Sequence, residues 1–316
     1  MRQYTLRRLA YLPLIAIAVS LIVFFTLRLP FSQDPVDLHS GLDTTEAQRT
    51  ALRQEFGLDK PQWQQFVTWV GDMARGDLGK TFTGRQPVGA QITSRLPVTL
   101  EIMVLSVTFS TVFGILFGII SAMKQNTPVD YFFRVLAVFG QSIPEFFLLI
   151  LLIVLPSIWW NYAPPSGGNL GFFENPTANL QLYLPPTLLL AVGGSATMMR
   201  ITRSTLLEVF RQDYIRTAKA KGLGENAVVL RHALRNSLIP IVTLIGGHIT
   251  ALLFGSLILE QIMSINGIGQ FLYRSLLQAD FPVIQFLVFY IALGVIVMNL
   301  LIDLSYAFID PRVKYS

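Results

Sequence analysis

Apolar residues in this chain are gathered into long blocks, and polar ones into the stretches between them. Six windows are nearly free of charge: Leu9 to Leu29, Val98 to Met123, Phe132 to Leu155, Leu182 to Met199, Leu238 to Leu259 and Val283 to Phe308. A helix needs about 20 apolar residues to cross roughly 30 Å of hydrocarbon, and each window comes close to or exceeds that length. The pattern predicts an all-α polytopic membrane protein of six spans. The first window is too long for the core of a signal peptide, and Thr26-Leu27-Arg28-Leu29-Pro30 offers no small-residue cleavage site, so it reads as a retained span.

Four regions follow. Residues 1–30 hold the N-terminus and first span; 31–97 form a helical segment outside the membrane; 98–308 carry five spans and an inter-span loop at 200–236; 309–316 are a tail. Within 31–97, Asp43 and Glu46 resemble a capping box opening a helix that Gly57 closes, while Asp59 and Pro61 open another. Trp63, Phe66, Val70 and Met73 lie at helical spacing on the latter. That stripe has two readings, internal packing or docking of an external partner. Residues 74–81 nearly match a phosphate-binding loop. Such a loop needs a strand before it and a helix after it, and neither is predicted here.

Composition supports the membrane reading. Of 316 residues, 52% are hydrophobic and 14% charged, against about 25% charged in a soluble domain. The absence of cysteine removes disulfides, thiolate metal clusters and a cysteine nucleophile. His39, His232 and His248 stand in different segments without ligand spacing, and no Gly-x-Ser-x-Gly elbow occurs, so a membrane-embedded enzyme lacks its chemistry.

The net charge of +5 does not point to nucleic acid, because the basic residues track span ends. Arg2, Arg7 and Arg8, then Lys124 and Arg134, the eight Lys and Arg of 200–236, and Arg312 with Lys314 all fall on one side. The positive-inside rule makes that side cytoplasmic and places both termini there.

Ionisable residues inside spans are costly and therefore informative. Glu101, Glu145, His248, Glu260 and Asp303 qualify. Glu145 follows Ser142-Ile143-Pro144, where the proline removes a backbone donor and permits a kink. That combination suits either a polar pathway lining or an interfacial helix end. Ser142, Pro144, Glu145 and Glu260 are the candidates for a pathway or gate, and the two acids could attract an amino group.

The stretch from Thr202 to Asn236 is amphipathic and basic, and it reads as helix, break, helix around Gly222 and Gly224. A short projecting helix of this kind fits a groove on a cytoplasmic partner, although a solvated loop has the same composition.

Ala218-Lys219-Ala220-Lys221-Gly222-Leu223, with the run from Arg231 to Pro240, resembles the coupling loop of dipeptide/oligopeptide ABC-importer permeases. Further similarities occur in family order: Gly76 to Gly79, Arg95 to Glu101, Ser142 to Pro144, Gly255-Ser256 with Glu260, and Gly267 to Gly269. Asp280 to Pro282, Asn299 with Asp303, and Asp310 to Tyr315 complete the series. The likeness is to the B-type subunit, which has the long external segment.

The resemblance implies a type I ABC-importer permease architecture and half of a pore. It implies a paralogous six-span permease as partner, two ATPase subunits docked at Arg216, Thr217, Ala218, Lys219, Ala220, Lys221 and Gly222, and an extracytoplasmic substrate-binding protein. ATP and Mg would bind the ATPase partners, leaving this chain without a cofactor, in the cell membrane of a bacterium or archaeon. Three departures stand out. The importer motif's acid would fall on Arg216, and Pro240 lies 18 residues after Gly222 where the general motif has about 13. Asn266 also occupies a position where the family usually has proline. The rival reading is a proton-coupled secondary transporter working through Glu145 or His248, although no inverted repeat is visible.

Overall fold

The computed structural model describes residues 2–28, 36, 45–82, 84–167 and 171–309, and these are almost entirely helical. In chain order the helices are α1 (Arg2–Thr26), α2 (Glu46–Glu55), α3 (Gln62–Ala74), α4 (Val88–Met123), α5 (Pro128–Ser142), α6 (Glu145–Trp160) and α7 (Pro176–Val209). They continue as α8 (Asp213–Ala220), the irregular helical segment α9 (Glu225–Asn236), α10 (Leu238–Ile262), α11 (Ile268–Leu277) and α12 (Phe281–Ile309). His39, Asp43 and the tail from Asp310 to Tyr315 lie outside the described residues.

Among the described residues, three continuous helices are long and apolar enough to span a membrane, in α4, α7 and α12. The number rises to five if two sharply bent pairs, α5 with α6 and α9 with α10, each count as one span, and the apolar part of α1, Tyr11–Thr26, is shorter. The expected third span is therefore not one rod. Pro144 cannot donate to the helix ladder, Ile143 is extended at φ −91° and ψ 122°, and the two halves meet at 91°.

The chain divides into two compact units. In the one made of Arg2–Thr99 and Asn266–Ile296, aromatic rings tie helices together. Phe24 on α1 meets Phe66 and Trp69 on α3 at 5.3 and 5.9 Å, and Trp69 meets Phe289 on α12 at 6.1 Å. The α3 stripe is thus partly packing, but it runs through Trp69 instead of Trp63, which stays exposed. The cap of α2 is also shifted from its expected position. Thr45 and Gln48 form the reciprocal capping box, because the chain is helical only from Glu46. Residues 74–81 follow helix α3 where a phosphate loop would follow a strand, and Lys80 closes an antiparallel bridge to Pro87. The connection before α12 holds helix α11, whose first N–H, on Ile268, donates to Thr99 Oγ1 at 2.8 Å.

In the unit made of Leu100–Ile265 and the described part of Val297–Ser316, α7 is the central element, packed by α5, α6 and α10. Gly114 and Gly118 of α4 lie directly on it. A Cβ at Gly114 would sit 2.9 Å from Ser195 O, and one at Gly118 2.9 Å from Met199 O. This is the small-x-x-x-small spacing by which membrane helices bring their backbones close, where lipid removes any hydrophobic drive.

Candidate functional site

Helix α7 overruns the expected span by ten residues, and its end at Val209 leads into the turn that launches α8. Asp213 stands in the first turn of α8 and Lys219 in its last, each matching the helix dipole. Ile215 is fully buried and Ala218 nearly so, in a cluster with Leu206, Val209, Val228, Ala233 and Ala122. The opposite face is exposed: Arg216, Thr217, Lys219, Ala220, Lys221 and Gly222 all lie in solvent. Among the seven residues expected to meet the ATPase subunits, Ala218 packs its methyl group against its own unit and the other six face solvent.

The helix ends in a Schellman motif. Leu223 N–H donates to Ala218 O at 3.4 Å, Gly222 N–H donates to Lys219 O at 3.0 Å, and Gly222 adopts φ +76°. A side chain at Gly222 would meet nothing within 4 Å, so the glycine is required by its backbone conformation and not by crowding within the chain.

Above this segment lies a buried ion pair that residue type and spacing did not reveal. Arg203 on α7 donates through Nε and Nη2 to both carboxylate oxygens of Asp130 on α5, each at 2.7 Å. Ser121 on α4 donates to the same carboxylate at 2.5 Å, and the Asn126 N–H adds a fourth bond at 3.0 Å. Asp130 is fully buried, with every charge-stabilising direction occupied. A polar residue just past a span end reads as solvated in one dimension; only the approach of three helices shows otherwise.

Among the pathway candidates, Ser142 donates its hydroxyl to Val138 O at 2.8 Å and is exposed beside the break, as is Pro144. Glu145, an exposed residue, opens α6 with its carboxylate lying on Gly193 of α7, where a Cβ would come within 2.9 Å of Oε1. It borders a cavity of about 210 Å³ with Phe146, Leu149, Leu190, Ile258 and Leu259. Glu260, by contrast, is fully buried at the end of α10 and does not share the exposed surface of Glu145. Glu101 is also occupied, accepting from Asn179 at 3.1 Å.

His248 packs its ring on Gly194, next to the glycine that receives Glu145, and its Nδ1 lies 2.8 Å from Ser110 Oγ. The same Ser110 hydroxyl lies 3.1 Å from Val107 O. Gly193-Gly194 thus seats both ionisable side chains named as alternatives in the proton-coupled reading.

Residues 114–315 match the model of the binding-protein-dependent transport system inner membrane component, and residues 1–103 that of the N-terminal region of such membrane components. The chain belongs to that family. It is therefore a membrane permease component, and ATP hydrolysis resides in partner subunits of such transporters.

The dipeptide transport system permease protein DppB of Escherichia coli K12 is 36% identical over 340 residues, with both chains covered completely. A putative peptide permease protein of Brucella suis biovar 1 is 38% identical over 322 residues, again with full coverage of both. The glutathione transport system permease protein GsiC of Escherichia coli O6:H1 is 35% identical over 317 residues. An inward-facing structure of the MetNI methionine ABC transporter matches with a TM-score of 0.54 at 18% identity, covering 67% of this chain and 93% of that one. It supports the ABC-importer permease fold alone.

Proposed function

We propose that this chain forms half of the translocation pathway of an ATP-driven importer of di- or oligopeptides. A paralogous permease supplies the other half, two ATPase subunits dock on the cytoplasmic face, and an extracytoplasmic binding protein delivers the substrate. Both termini lie in the cytoplasm of a bacterial or archaeal cell. Full-length similarity to peptide and dipeptide permeases supports the substrate class.

The observation that carries the coupling role is the two-sided construction of α8. Ile215 and Ala218 lock it to α7 and α9, while Arg216, Thr217, Lys219, Ala220, Lys221 and Gly222 remain exposed and carry three positive charges. A short helix seated in this way passes a push from an ATPase groove to the membrane helices without dissipating it in a loop. ATP and Mg belong to the partners in this reading.

The test is to purify the tagged chain from cells expressing the whole system and reconstitute the assembly. Co-purification of a paralogous permease and ATPase subunits, with peptide and binding protein stimulating vanadate-sensitive ATP hydrolysis, is the expected result. Peptide uptake by this chain alone, collapsing with the proton gradient at constant ATP, would establish the rival reading.

A further inference from the structure

The α5, α6 and α7 faces that meet at the break near Ile143 carry an exposed polar seam. Gln141 donates through Nε2 to Thr197 Oγ1 at 2.8 Å, and Arg200 donates through Nη1 to Gln141 Oε1. Thr197 lies one turn beyond Gly193, on which the Glu145 carboxylate rests. Glu145, Gln141, Thr197 and Arg200 are all exposed. Hydrocarbon does not cover such a row without a large penalty, so in the membrane it faces water or protein.

Its two charges are opposite in sign, and neither has an ionic partner among the described residues. Arg203, one turn further along, is consumed by Asp130, whereas Arg200 is held only by a neutral amide. The Gln141 bridge holds the Arg200 guanidinium near Thr197, roughly 6 Å along the helix axis from Gly193, or about 10 Å if the side chain extends away. An extended dipeptide measures about 7 Å and a tripeptide about 10 Å.

We propose that this seam is a transient binding site for zwitterionic di- and tripeptides, with Glu145 receiving the α-ammonium group and Arg200 the α-carboxylate. The proposal rests on the peptide-importer reading and gives it a recognition step on the permease itself. The Thr197 hydroxyl and Gln141 amide between the charges supply side-chain-independent contacts to the peptide backbone. A site that reads only the two termini admits varied side chains.

Two experiments on the complete transporter test this. The chain has no native cysteine, so Thr197→Cys gives a single labelling site on it. Labelling of the introduced thiol by a charged reagent in the assembly, slowed by saturating dipeptide, is expected; an unreactive thiol would mean that the partner permease buries the seam, and would overturn the proposal. The second experiment measures equilibrium binding of alanyl-alanine, its N-acetyl form and its C-amide to the assembly without binding protein.

The intact transporter should favour the free dipeptide by about tenfold over each blocked form, as expected for one charge-assisted contact. Glu145→Gln should erase the penalty for N-acetylation alone, and Arg200→Gln the penalty for C-amidation alone. Equal weakening of all three ligands, or unaltered discrimination, would overturn the site while wild-type peptide uptake kept the importer reading intact. Absence of peptide uptake by the wild type would instead remove the importer reading itself.

Discussion

Asp130 and Arg203 meet fork to fork, two 2.7 Å bonds joining the start of α5 to the C-terminal part of α7. With Ser121 the pair closes a polar knot among α4, α5 and α7. Removing one partner strands the other charge, at a cost of about 3–5 kcal/mol for a buried pair. Asp130→Ala should therefore lower the thermal unfolding midpoint and reduce folded yield in detergent. Combining it with Arg203→Met should recover much of the loss, because the stranded guanidinium is removed. A double variant as unstable as the single one would mean that the pair's net attraction, and not desolvation, dominates.

Gly222 separates backbone demand from crowding. Its φ of +76° disfavours any residue with a Cβ by about 1–2 kcal/mol, but asparagine tolerates that region better. Gly222→Val should abolish co-purification of the ATPase subunits and peptide uptake, while membrane insertion continues. Gly222→Asn should retain part of both. Normal uptake by the valine variant would remove α8 from the coupling surface.

The two faces of α8 should respond to opposite perturbations. Ile215 is fully buried, so Ile215→Ser should loosen α8 from the chain itself, seen as faster proteolysis at Gly222 and Leu223. Lys219→Glu with Lys221→Glu touches only the exposed face. Its expected effect is weaker ATPase association at low ionic strength with a reduced salt dependence, and only a small fall in the melting temperature of the isolated chain, from the loss of Lys219 at the C-terminal end of the helix dipole.

Three glycines within membrane helices should behave unequally. Alanine at Gly114 or Gly118 would place a methyl carbon against α7, including a carbonyl oxygen 2.9 Å away, costing about 1–3 kcal/mol. A Cβ at Gly247 meets nothing within 4 Å, and alanine there should be neutral or slightly stabilising. Thermal unfolding of the three purified variants distinguishes them directly.

Much of the helical order is legible because hydrocarbon imposes a long, uniform apolar window on every crossing. What escapes depends on contacts between windows. Pro144 announces a break, but its 91° bend requires the neighbouring helices. Asp130 has the pattern of a solvated helix start, and periodicity selects Trp63 over Trp69, since spacing alone does not tell which side of a short helix meets α1. The Gly114-to-Gly118 spacing is a packing signal that a search for apolar windows passes over. For the candidate site, residue identity locates α8 and Glu145, whereas the inward turn of Ala218, the burial of Glu260 and the exposure of Arg200 belong to three dimensions.

Helix α7 has 34 residues and is about 51 Å long, well beyond the roughly 30 Å of hydrocarbon. Along one unbroken beam it carries Gly193 under Glu145, Arg200, the Asp130 clamp at Arg203, and Leu206 with Val209 seating α8. The clamp lies between Gly193 and the α8 seat, so α8 and the resting place of Glu145 share one continuous support, and a shift of α7 carries both together.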